Sequence, residues 1–130
     1  MNDLNKTLAL ATSGLRAQSA RLRLVSENLA NSDTPGYQRK IASFAQEMMN
    51  TQAVGEVRQG PVRLDQTTLP KVYDPSHPMA DEKGYYDGSN VNLMVEIADA
   101  REAQRSYEAN LKLFEQSRKM SASLLDILRR

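Results

Sequence analysis

The side chains with the widest chemical repertoire in this sequence are few, and they cluster in Asp74-Pro75-Ser76-His77-Pro78, which holds the chain's one histidine. An imidazole beside a hydroxyl and a carboxylate has the inventory of a nucleophilic triad, whose base must touch both the nucleophile and the orienting acid. Two prolines within this stretch favour an extended turn that holds the Ser76 and Asp74 side chains apart, so His77 is read as a loop residue. Asp81-Glu82-Lys83-Gly84 and Asp87-Gly88-Ser89-Asn90 offer oxygen ligands, but not the alternating ligands and closing glutamate of a twelve-residue calcium loop. Both are read as surface turns. The absence of cysteine excludes disulfides, thiolate nucleophiles and cysteine-based zinc sites. The glycines stand singly, so no phosphate-cradling loop forms. The expectation is a protein that is no enzyme, with no catalytic residue, cofactor or metal.

Charge is as uninformative for nucleic acid as the polar inventory is for catalysis. The net charge is +1, and neither sign dominates any third of the chain. A non-specific nucleic-acid binder draws most of its affinity from a basic stripe. Arg16, Arg21, Arg23 and the pair Arg39-Lys40 are the candidates, and a solvated helix face accounts for them. No apolar run approaches the roughly 18 residues that span a bilayer. Met1-Asn2-Asp3-Leu4-Asn5-Lys6 does not look like a cleavable secretory leader. Neither nucleic-acid binding nor direct membrane insertion is expected.

Two proline-free stretches supply the framework. Across residues 3–31, Leu4, Leu8, Ala11, Leu15, Gln18, Leu22, Val25 and Leu29 step by alternating fours and threes, a heptad seam that asks for a partner helix. Thr34-Pro35-Gly36-Tyr37 ends it, because proline restricts the residue before it and glycine accepts positive φ at the third place of a type II turn. From Asn92, which can cap a helix, the series Leu93, Ile97, Ala100, Gln104, Tyr107, Leu111, Phe114, Arg118, Ser121, Leu125 and Leu128 keeps the same steps. Leu113, Met120, Leu124 and Ile127 form a second stripe. Between the helices, Ile41, Phe44, Ala45, Met48 and Met49 suggest a short amphipathic helix. Val54–Val57 and Val62–Leu64 suggest small strands, with a hairpin through Gly60-Pro61. Few aromatics (two Phe, five Tyr, no Trp) leave little to fill a thick globular core.

The expected fold is mainly α: long N- and C-terminal helices paired as an antiparallel coiled coil, with a small β-rich or irregular insert between them. The segments are 1–34 and 91–130 as the paired helices, 35–50 as turn and short amphipathic piece, and 51–90 as insert. The candidate assembly seams are Leu4, Leu8, Leu15, Leu22, Val25 and Leu29 at one end, and Leu93, Ile97, Tyr107, Leu111, Phe114, Leu125 and Leu128 at the other.

Ser26-Glu27-Asn28-Leu29-Ala30-Asn31-Ser32-Asp33-Thr34-Pro35-Gly36-Tyr37 resembles the N-terminal signature of bacterial flagellar rod and hook proteins. Asn92-Leu93, Glu96 and Ala103-Gln104-Arg105-Ser106-Tyr107-Glu108-Ala109-Asn110 look like that family's C-terminal signature. The signature residues are Asn28, Ala30, Asn31, Thr34, Pro35, Gly36 and Tyr37, then Tyr107, Glu108, Ala109 and Asn110. The middle segment, Tyr73-Asp74-Pro75-Ser76-His77-Pro78-Met79-Ala80-Asp81-Glu82-Lys83-Gly84-Tyr85, resembles the proximal rod subunits. It departs from them after Gly84, where a proline is expected before Asn90-Val91.

The resemblance implies a structural subunit of the basal-body rod, assembling non-covalently into a drive shaft that transmits torque from the membrane ring to the hook. Its implied partners are copies of itself, the other proximal rod subunit, distal rod subunits, the membrane-ring adaptor and, during secretion, the flagellar type III export apparatus. The implied place is the rod crossing the periplasm, reached without a cleavable signal peptide. The rival reading of the same helices is a cytoplasmic coiled-coil adaptor or flagellar export chaperone.

Overall fold

The computed structural model describes the backbone of residues 2–49 and 52–130, and the side chains of those residues outside 45–54. Two helices dominate it: α1, Asn2–Ala30, and α2, Leu93–Arg129. The start of α2 is set locally. Asn92 lies in extended conformation (φ −103°, ψ 112°), and its side chain accepts the N–H groups of Met94 and Val95, which have no partner within the helix. Glu96 in the first turn and Arg129 in the last complement the helix dipole.

The helices run antiparallel, since Arg21 of α1 meets Asp99 and Glu102 of α2 while Gly14, further back, meets Asn110. What lies between them is small or polar. The buried residues of α2 are Glu96, Ala103 and Ser117, spaced in sevens, with half-buried Asn110 completing the row. On α1 the buried residues are Ala11, Ala17, Val25 and Asn28. The Asn110 side chain fills the space beside Gly14, where a Cβ would stand 2.7 Å from its Oδ1. Large apolar side chains therefore flank the contact or lie outside it. Leu4, Leu8, Leu15, Leu22 and Leu29 are half-buried, as are Tyr107 and Phe114. Leu93, Ile97, Leu111, Leu125 and Leu128 are exposed.

The insert consists of three two-stranded antiparallel ribbons. β1, Lys40–Ile41, pairs with β4, Arg63–Leu64. β2, Phe44–Met49, pairs with β3, Gln52–Gln59, with an irregularity between Gln46 and Met48. β5, Lys71–Tyr73, pairs with β6, Tyr85–Asp87. The β2–β3 ribbon lies along α1, where Ser13 Oγ accepts the Val57 N–H at 3.2 Å and Leu10 packs on Gly55.

Two local expectations are corrected. The amphipathic helix anticipated over Ile41, Phe44, Ala45, Met48 and Met49 is strand: pairing with β3 and β4 supplies the backbone partners a helix would have supplied internally. The side chains of Ala45, Met48 and Met49 lie outside the described ones. Gly60-Pro61 is not a hairpin turn either. The strand before it pairs backward with β2, the Gly60 N–H closes that ribbon on the Ser43 carbonyl, and β4 continues to β1.

The close approach at Gly14 yields a first prediction. Gly14→Val should lower stability by about 1–3 kcal/mol, the usual cost of overpacking. Asn110→Ala in the same chain should recover part of that loss. Urea melts of the two single variants and the double variant, read as a thermodynamic cycle, measure the coupling.

Candidate functional site

The polar residues converge where the chain leaves α1 and where it enters α2. The exit is a turn over residues 34–37, in which the Thr34 carbonyl accepts the Tyr37 N–H at 3.2 Å. Pro35 holds its first central position and Gly36, at φ +73°, its second, the type II arrangement. Asn31 braces it from the helix end, donating from Nδ2 to the Glu27 carbonyl and accepting from Thr34 Oγ1 at 3.1 Å. The Gly36 N–H reaches across to the Asp87 carbonyl of β6. Pro35 is half-buried, and Ala30, Thr34 and Gly36 are exposed.

Asn28, 1% exposed, binds the returning chain as a strand would. Its Nδ2 donates to the Lys40 carbonyl and its Oδ1 accepts the Lys40 N–H, both at 2.9 Å. The Tyr37 hydroxyl donates to the same Oδ1 at 2.9 Å. Burial pushes the Tyr37 hydroxyl above its ordinary range, and the Glu27 carboxylate adds to the effect. Lys40 Nζ bonds Glu27, which raises the lysine above its usual value.

Asn90 makes the matching clasp on the other side. Its Oδ1 accepts the Arg39 N–H, and its Nδ2 donates to the carbonyls of Asp65 (3.0 Å) and Thr67 (3.1 Å). Exit strand, insert and entry to α2 thus meet at one amide.

Arg39 sits between them and carries the electrostatics. Its Nε bonds Glu96, its Nη2 bonds Asp99 at 3.0 Å, and its Nη1 lies 4.0 Å from Asp65. Asp99 is shared with Arg21, which also reaches Glu102. Glu96 is 1% exposed, and its Oε2 has no hydrogen-bond partner among the described residues. Asp65 is held below the usual carboxylate range, first by the Thr67 hydroxyl and then by its backbone N–H. This cluster can bind and orient backbone, and nothing in it presents a nucleophile to solvent.

The other sequence candidates lie elsewhere. On α2, Tyr107 and Asn110 are half-buried while Glu108 and Ala109 are exposed. His77 is in a loop, as anticipated, but the side chains of Ser76 and Asp74 are not separated. Ser76 Oγ donates to Asp74 Oδ1 at 2.7 Å, because the turn curls back on itself. His77 instead accepts the Met79 N–H through Nδ1, so the three residues form no triad. Arg39, read from sequence as part of a solvated basic pair, and Asn90, read as part of a surface turn, instead hold this clasp together. Their signal was the one acid placed on the inward face of α2, Glu96, which needs a cation supplied from outside the helix.

A family model of flagella basal body rod proteins matches residues 8–38, and one for the C-terminal region of flagellar basal body rod FlgEFG proteins matches residues 82–127. The first match spans most of α1 and the exit turn, and the second most of α2. The class is therefore the flagellar basal-body rod proteins. The chain is 42% identical to the flagellar basal-body rod protein FlgC of Agrobacterium fabrum, over 99% of this chain and 98% of that one. FlgC of Borreliella burgdorferi is 34% identical (96% and 97% covered), and FlgC of Salmonella typhimurium 33% (91% and 92%). The chain belongs to the FlgC family: it is a structural rod subunit of the flagellar basal body, not an enzyme, and assembles with other rod components.

Two outcomes follow from the clasp. Asn28→Ala should cost about 2–3 kcal/mol, since it strands the Lys40 N–H and carbonyl, and should speed hydrogen exchange at the Lys40 amide. Arg39→Met alone should cost about 3–5 kcal/mol by leaving Glu96 buried without its cation. Arg39→Met with Glu96→Leu should recover most of it. Denaturant melts compare the three.

Proposed function

We propose that this subunit builds the proximal rod through helix-to-helix packing of surfaces its own fold leaves open, with copies of itself and neighbouring rod proteins on the other side. In this reading the rod crosses the periplasm and carries torque from the membrane ring to the hook. Distal rod subunits and the ring adaptor are neighbours, and the flagellar type III apparatus is the route of export.

The observation that carries the reading is the distribution of apolar surface on α2. One flank, one residue beyond or three before members of the buried row, exposes Leu93, Ile97 and Leu111. The other, one residue before or three beyond members of the row, exposes Val95, Leu113 and Met120. At the C-terminal end both merge into Leu124, Leu125, Ile127 and Leu128, the last 74% exposed. Helix α1 is 29 residues against 37 for α2, so the antiparallel pair leaves these final turns beyond its reach. A patch of this kind marks an interaction surface. Each such side chain contributes about 1.5–3 kcal/mol when buried. Neighbouring helices interlocking with these flanks and with Leu8, Leu15 and Leu22 would give coiled-coil packing between subunits.

Assembly and ordering are coupled here, because a long helix draws its stability from burying an apolar face. An export chaperone or adaptor would use the same surface on a cytoplasmic client. Subcellular fractionation and basal-body purification separate the two readings.

Leu125→Glu with Leu128→Glu provides the test. Both side chains are exposed in the isolated subunit, so the thermal melt should stay within a few degrees of the unsubstituted protein. Incorporation into purified basal bodies should fall by at least tenfold, with loss of swimming. Normal motility of that variant would refute the assembly role of the C-terminal stripe.

A further inference from the structure

We infer that His77 is a proton-operated latch in the β5–β6 insert: neutral, it holds the Met79 amide; protonated, it releases that amide while its ring stays in place. The inference rests on the two different things the imidazole does. Its face stacks on Tyr86 of β6, with centroids 4.0 Å apart and planes 15° from parallel. Its edge accepts the Met79 N–H through Nδ1 at 3.1 Å. A nitrogen that accepts a hydrogen bond carries no proton, so this geometry requires the neutral ring with its hydrogen on Nε2.

Adding a proton changes the two contacts in opposite directions. Nδ1 becomes a donor facing the Met79 donor, and the bond is lost. The stacked ring becomes a cation over an aromatic face, an attractive arrangement. The ring therefore remains on Tyr86 and the Met79 amide turns to solvent. That amide is the less anchored partner: Met79 is 63% exposed, while the Ala80 N–H keeps the surrounding turn closed on the His77 carbonyl at 3.0 Å. The rest of the loop is tied down, through the Asp74 N–H to the Gly84 carbonyl and the Asp81 N–H to the Tyr85 carbonyl.

The charged groups around the ring do not substitute for the lost acceptor. In its own loop, Asp74 Oδ1 is taken by the N–H and hydroxyl of Ser76. Asp81 Oδ1 accepts the N–H groups of Tyr85 and Lys83, which hold its carboxyl below the usual range. Glu82 and Lys83 are exposed. On the strands below, Lys71 and Asp87 pair with each other, and Tyr86 is the stacked ring. Imidazole is the side chain that ordinarily changes charge between about pH 5 and 8, and with a single histidine in the chain the response is open to direct observation. The residue whose amide responds is Met79, itself exposed.

The test is nitrogen-15 NMR of the purified full-length chain from pH 8 to 5. At pH 8 the ring should show the Nε2–H tautomer. On acidification the Met79 amide shift should move with the same midpoint as the ring nitrogens, and its protection from exchange should fall roughly tenfold, as expected for one net hydrogen bond lost. His77→Asn keeps an acceptor at that place and removes the proton, so its Met79 amide should not respond to pH. His77→Ala should show the released amide at every pH. An Nδ1–H tautomer at pH 8, a Met79 amide that ignores the ring titration, or a response surviving in His77→Asn would each overturn the latch.

Discussion

The close approach of α1 and α2 along small and polar residues governs the rest of this structure. At Gly14 the Asn110 side chain fills the place a β-carbon would take, and Ala11, Ala103 and Ser117 are the small residues buried along the contact. A contact of that kind gives many weak dispersion contacts and a defined register, but removes little large apolar surface from water. The leucines and isoleucines that would normally fill a core are displaced to the flanks. The subunit is thereby specified without being saturated. The surface its own hairpin could not bury is the one proposed above to meet neighbouring rod subunits.

A thin pairing of two helices needs something to hold the intervening chain against it, and polar groups perform that task. Asn28 offers a side-chain amide to Lys40 as a strand would offer its backbone, and Asn90 does the same for Arg39, Asp65 and Thr67. Arg39 threads between them to reach Glu96. Buried charge of this sort contributes modestly to net stability, since desolvation offsets the attraction, while an unmatched member is costly. Its effect is selective: only one path of the exit strand satisfies Glu96, Asp99 and both asparagines together.

Much of the framework was legible from residue order, for reasons of range. The limits of both helices, the Asn92 cap and the turn at Pro35-Gly36 depend on neighbours within four positions, and the structure puts them within a residue of expectation. The strands depend on partners elsewhere, so the apolar spacing of residues 41–49 read as helix until β3 and β4 were seen beside it. The inward face of α2 was hidden for a different reason. Counting apolar residues finds Leu93, Ile97 and Leu111, whereas close approach selects Ala103, Asn110 and Ser117, which such a count passes over. Of the clasp, Asn28 and Asn31 stood out through family resemblance, while Arg39 and Asn90 acquire meaning only once the chain folds back. The curl that joins Ser76 to Asp74 was obscured by the prolines on either side.

The unequal lengths of the two helices also make the subunit directional. One end of the hairpin is closed by the asparagine clasp and its ion pairs; the other ends in a greasy, single-helix stub, like a tenon cut on a beam. Two such objects laid tail to tail would set stub against stub, whereas objects laid the same way round would set each stub against a chemically different end. A shaft stacked from such subunits in a single orientation would have a base and a tip that differ chemically.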